Sequence, residues 1–166
     1  MPSSFDLILK NGKCFIDGQL KTTDIGISDG IIKNISNIQV SSSQKILDVN
    51  NLIVLPGIID TQVHFREPGS TDTEDLETGS KSAVLGGVTS VFEMPNTNPP
   101  TSSQAEFKRK LSLAANRMYC NYAFYFGATS QNIEDLKKLN DLEGCCGIKL
   151  FAGSSTGNLL VKDEKD

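Results

Sequence analysis

Residues 55–69 read LPGIIDTQVHFREPG. An apolar run from Leu52 to Ile59 leads into Gln62, His64 and Arg66, spaced two apart. In a strand, side chains at i, i+2 and i+4 share a face. One face is therefore expected to carry an amide, an imidazole and a guanidinium where the strand runs into a Glu-Pro-Gly turn. Buried strands that deliver polar groups at their C-terminal ends build the active sites of barrel and open α/β enzymes.

After Pro56-Gly57 the pattern is strand then helix, repeated. The first strand is expected over about 52–63. A helix follows near 73–86, with Thr71 and Glu74 at capping-box spacing and Leu76, Ala83 and Val84 facing inward. VTSVFEM (88–94) reads as the second strand. The next helix starts at Ser102 or Ser103, and its Phe107, Leu111, Ala114, Ala115 and Met118 follow helical spacing. YCNYAFYFGA (119–128) is the third strand, a helix spans about 131–142, and CCGIKLFA (145–152) is the fourth. Gly144 suits a helix C-terminal cap, SSTGN (154–158) begins a loop, and VKDEKD closes the chain.

Residues 1–54 read as a small β module. Its short β-branched runs are punctuated by Asp17-Gly18 and Asp29-Gly30, which mark tight hairpins, and VSSSQ (40–44) is a loop. Alternating strands and helices over 55–166 imply a parallel sheet. About four strands and three helices fall short of a (β/α)8 barrel, which has eight of each and takes about 250 residues. The fold class is thus α/β: a small β module, then an incomplete (β/α)8 barrel.

Composition narrows the function. The chain has 166 residues, 38% apolar and 22% charged, as in soluble globular proteins. A net charge of −4 and a pI near 5.0 argue against nucleic acid or anionic membranes as partners. No segment approaches the roughly 20 apolar residues of a membrane helix, and MPSSFDLILK has no signal-peptide pattern. Cys14, Cys120, Cys145 and Cys146 lack CxxC spacing, so reduced thiols in the cytoplasm are expected.

The run at 60–69 closely resembles the first barrel strand of the cyclic amidohydrolases, and of dihydroorotases in particular, whose motif is Asp-x-His-x-His-Phe-Arg-Glu-Pro-Gly. EDLETGSKSAVLGGVTSVFEMPNTNP (74–99) and GIKLF (147–151) extend the resemblance. It implies that the chain corresponds to the N-terminal part, roughly 40%, of an enzyme with a complete barrel. MPNT favours dihydroorotase over allantoinase. The implied reaction is the reversible hydrolysis of dihydroorotate to carbamoyl-aspartate in pyrimidine biosynthesis, with zinc, one or two ions, as Lewis acid.

Each candidate residue has a plain reading and a functional one. His64, the only histidine, is either a satisfied polar group at a strand end or, by the resemblance, a metal ligand. Gln62 stands where the family has its first metal-binding histidine, and an amide oxygen is a poorer zinc ligand than imidazole. Arg66 either makes a surface salt bridge with Glu67 or, by resemblance, grips a substrate carboxylate with its planar fork. Asn96 is a turn residue or the asparagine that assists that arginine. Lys149 either reaches to solvent or, by resemblance, is carbamylated and bridges two metals.

The family's proton-shuttling Asp and further histidines have no counterpart here, and no Ser-His-Asp or Cys-His route replaces them. Three readings stay open. The chain is part of a dihydroorotase-like hydrolase of small cyclic amides, completed by a C-terminal half or as a homo-oligomer. It is a non-catalytic homologue, a scaffold for an enzyme such as a transcarbamoylase, which Gln62 favours. Or it is an inactive gene remnant. In isolation it is expected to expose apolar sheet edges and to self-associate or fold poorly.

Overall fold

At Asp17-Gly18 and at Asp29-Gly30 both residues take positive φ (51° and 77°, 54° and 71°), the backbone that a two-residue hairpin requires. These turns join β1 (Leu7–Ile16) to β2 (Gln19–Ser28) and β2 to β3 (Ile31–Ile35), all antiparallel. β4 (Lys45–Asp48) and β5 (Ile53–Val54) run parallel to β1 along its other side. Phe5, Ile8 and Ile38 cluster at the core of this sheet. Asp24, also buried, accepts from Lys10 Nζ at 2.6 Å and from the backbone N–H groups of Asn11 and Ile38.

The computed structural model describes residues 5–40, 45–153 and 159–162. The loop expected over SSTGN (154–158), most of that over VSSSQ (40–44) and the end of the VKDEKD tail lie outside the described residues. By contacts the chain divides into two compact units, Met1–Pro56 and Gly57–Asp166. The single strand expected over 52–63 is therefore two. Ile53–Val54 pairs with β1, and after Pro56-Gly57 the chain begins β6 (Ile58–Val63) of a separate sheet. Proline supplies no N–H to a ladder, which ends pairing at that point.

The second unit alternates strand and helix: β6, α1 (Leu76–Leu85), β7 (Val88–Glu93), α2 (Gln104–Ala114), β8 (Asn121–Gly127), α3 (Ile133–Leu136) and β9 (Cys145–Lys149). The four strands form one parallel sheet in the order β6-β7-β8-β9. α1 starts later than expected. Its cap is Asp75, whose carboxylate accepts from Thr78 N–H at 2.7 Å while the Thr78 hydroxyl meets the Asp75 N–H, and Val84 points outward. α2 begins where expected, with the Ser103 hydroxyl accepting from Glu106 N–H. The helix expected over 131–142 breaks into α3 and a 3₁₀ turn at Leu139–Asp141.

One face of the sheet meets the helices. Val91, Phe124 and Phe126 pack there against Phe107, Leu76 and Ala114, with Phe107 stacked on Phe126 at 6.1 Å. Each such ring, fully buried, contributes about 1.5–3 kcal/mol. The opposite face carries Phe92 edge-on to Tyr125 at 6.3 Å. At the outer strands Ile58, Ile59 and Ile148 are more than half exposed. Among the described residues no helix is long and apolar enough to cross a membrane.

Candidate functional site

The C-terminal ends of β6 and β7 are tied together where Met94 N–H donates to Val63 O at 3.0 Å. β6 ends at Val63, so the two-residue period does not carry on through residue 66. Of the three residues expected on one strand face, Gln62 lies within β6, while His64 and Arg66 follow its end. Val63 and Phe65 pack toward the helix-side core, and Phe65 lies against Gly79 of α1 so closely that a Cβ there has no room. Arg66 then takes φ 62°, which turns the chain out of the strand. Its carbonyl accepts from Ser70 N–H at 3.0 Å.

The salt bridge considered between Arg66 and Glu67 does not form. Glu67 is buried and turned inward, accepting from Leu76 N–H at 3.0 Å and from Arg117 at 2.8 Å. Arg66, with Glu67 so occupied, lines an open cleft of about 410 Å³ with Pro68, Ser70, Asn96, Thr97, Asn98 and Pro100. The two walls are joined by Asn98 N–H donating to Pro68 O at 2.9 Å. Arg66 and Asn96 thus come together, and Asn96 lies close enough to the His64 side chain to act on its ionisation.

The cleft is electropositive. Burial holds the His64 imidazole below its ordinary pKa, and the charges of Arg66, Lys110 and Lys149 push the same way, against the Asn96 side chain. At neutral pH the ring is therefore uncharged. Lys149 pairs in register with Gly127. By alternation from Tyr125 it stands on the uncovered face, with Nζ 5.2 Å over the Phe151 ring. Gln62 is exposed, and its backbone N–H donates to Asp60 at 3.0 Å.

Among the described residues no three His, Cys, Asp or Glu side chains converge to hold a metal. One imidazole beside the cations Arg66 and Lys149, and a neutral amide, do not by themselves fit a zinc ion. The same set suits an anion: a planar guanidinium and an amide, with positive charge behind them, match a carboxylate.

Two residues that the sequence did not single out lie directly beneath this site. Lys110 of α2 and Glu93 of β7 form an ion pair with 0% and 1% of their side chains exposed. Burial pushes Glu93 up to about 7 despite the lysine beside it, and burial likewise lowers Lys110. The signal was available: Lys110 sits three after Phe107 and four before Ala114, a cation in the apolar stripe of its helix. The four cysteines are free thiols. Burial, with Cys145 alongside, drives Cys146 up to about 11.

The model of the amidohydrolase family matches residues 53–154. The dihydroorotase of Methanothermobacter thermautotrophicus is 42% identical over 165 residues, 98% of this chain and 37% of its own. An allantoinase of Escherichia coli is 33% identical over 98% of this chain and 36% of its own. Among solved structures, the L-hydantoinase (dihydropyrimidinase) of Arthrobacter aurescens superposes with a TM-score of 0.85 at 30% identity, covering 95% of this chain and 35% of that one. The chain spans just over a third of the length of the relatives it matches.

Proposed function

This chain belongs to the amidohydrolase family, and on that ground we propose that it serves a dihydroorotase-like hydrolase of small cyclic amides, contributing the subsite that holds the substrate carboxylate. The observation that carries this reading is the meeting of Arg66 and Asn96 in one electropositive cleft beside His64. Arg66 would receive the carboxylate bidentately, and Asn96, beside His64, would hold one of its oxygens. The uncharged imidazole would keep a lone pair free. Two of the three named relatives bear other names, allantoinase and hydantoinase. The carboxylate is what separates dihydroorotate from an uncharged cyclic amide.

A zinc ion would need donors additional to His64 and a carbamylated Lys149. The remaining barrel strands would come from a C-terminal partner segment or a second copy, in the cytoplasm. The direct test is binding of dihydroorotate and of dihydrouracil, the same ring without its carboxylate, by calorimetry. Selective binding of dihydroorotate is expected. Equal affinity, or none, overturns the carboxylate subsite. Gln62 supports a second reading, a non-catalytic homologue that scaffolds a transcarbamoylase. Failure of the two to co-purify counts against it.

A further inference from the structure

We propose that Lys110, neutralised by Glu93, is a positioning residue for the cleft, because it fixes the peptide that carries Asn96 against His64. Lys110 Nζ donates to Met94 O at 3.1 Å. Met94 is held from the other side as well, since its N–H donates to Val63 O, the residue before His64. Pro95 follows, buried, with its carbonyl accepting from Thr101 N–H at 2.9 Å. Asn96 is next, lining the cleft beside His64. One short series of contacts thus leads from the buried ammonium to both Asn96 and His64.

The location argues for positioning over stability. Lys110 Nζ lies 5.1 Å over the Phe124 ring, inside the helix–sheet core. Burying two charges there is expensive, and apolar residues of similar volume often stabilise such a site as well or better. What an apolar side chain cannot do is make a directional bond to the Met94 carbonyl. Glu93 acts through Lys110: its register partners are Val63 on one side and Phe124 on the other, and it keeps the lysine's charge matched at the point where β6 and β7 deliver their site residues.

The consequence for ligand affinity rests on the carboxylate reading above, whereas the geometric claim does not. The test is the paired replacement Glu93→Leu with Lys110→Met in the full chain. It removes both charges together and leaves none unpaired. Three quantities are read: the thermal melt, the NMR signals of the Asn96 side-chain amide and the single His64 ring, and dihydroorotate affinity. The expected result is an unchanged or higher melting temperature, shifted Asn96 and His64 signals, and affinity weaker by about 10- to 100-fold.

Unshifted signals in a folded variant overturn the proposal and leave the pair merely structural. Should the variant fail to fold, the parent chain decides. Slowly exchanging Lys110 ammonium protons coupled to the Met94 carbonyl support the role, and their absence overturns it. Should the parent fail to bind dihydroorotate while the variant's signals shift, the carboxylate reading falls and the positioning role stands.

Discussion

Arg117 and Glu67 meet at 2.8 Å although fifty positions separate them. Arg117 follows the end of α2 and also donates to Leu113 O, while Glu67 follows Arg66 and gives its second oxygen to the first N–H of α1. The turn that presents Arg66 is therefore anchored to two helices at once. Removing Arg117 leaves a largely buried carboxylate without its cation. Arg117→Ala is expected to lose about 1.5–3 kcal/mol of stability, read from urea unfolding, together with dihydroorotate affinity. A variant as stable as the parent would show that the contact contributes nothing.

Arg66 carries its guanidinium on a backbone at φ 62°, a conformation that costs an L-residue roughly 1–2 kcal/mol. Arg66→Gly relieves that strain and Arg66→Ala keeps it. The glycine variant should melt above the alanine variant, and both should lose carboxylate binding. Separating stability from binding in this way marks the strain as serving the site. Identical melts for the two would remove the strain argument.

His64 is the sole histidine, so its ring titration can be followed by NMR without assignment of others. Its midpoint should lie below 6.5, because burial and the neighbouring cations disfavour the imidazolium. As pH falls from about 6.5 toward the native midpoint, the unfolded chain takes up the proton first, and stability declines across that interval. Lys149→Met removes one depressing charge and should raise the midpoint. A midpoint above 6.5 in the parent contradicts the electropositive cleft.

Gly79 faces the Phe65 ring, with no space for a Cβ. Phe65 lies between His64 and Arg66, so Gly79→Ala should both destabilise the unit, by about 1–3 kcal/mol for an overpacked core position, and disturb the His64 ring signal. Thermal melts and the same NMR spectrum check both effects. A stable variant with an unmoved His64 signal would separate the Phe65 packing from the site.

The fold was legible where local chemistry decides. Asp17-Gly18 and Asp29-Gly30 are hairpins because both residues tolerate positive φ, and Ser103 caps α2 because its hydroxyl reaches the Glu106 N–H. The parallel order of β6 to β9 follows from strand–helix alternation, which leaves a crossover connection as the route between neighbours. Where two local signals competed, the sequence was ambiguous. Thr71/Glu74 and Asp75/Thr78 both have capping spacing, and packing of Leu76 into the core selected the second.

Residue types and strand order alone placed His64, Arg66 and Asn96 near the ends of their strands, and they linked this chain to a family through LPGIIDTQVHFREPG. Only the tertiary structure determined which side chains meet. The β6 ladder ends at Val63, and the turn that carries Arg66 is held by the contact of Glu67 with Arg117, fifty positions away. The Glu93–Lys110 pair is likewise a product of packing, because α2 must dock on β7 before a lysine in its apolar stripe finds a carboxylate. Local geometry is written in neighbouring residues. Contacts between distant ones exist only once the sheet and its helices have closed around a shared core.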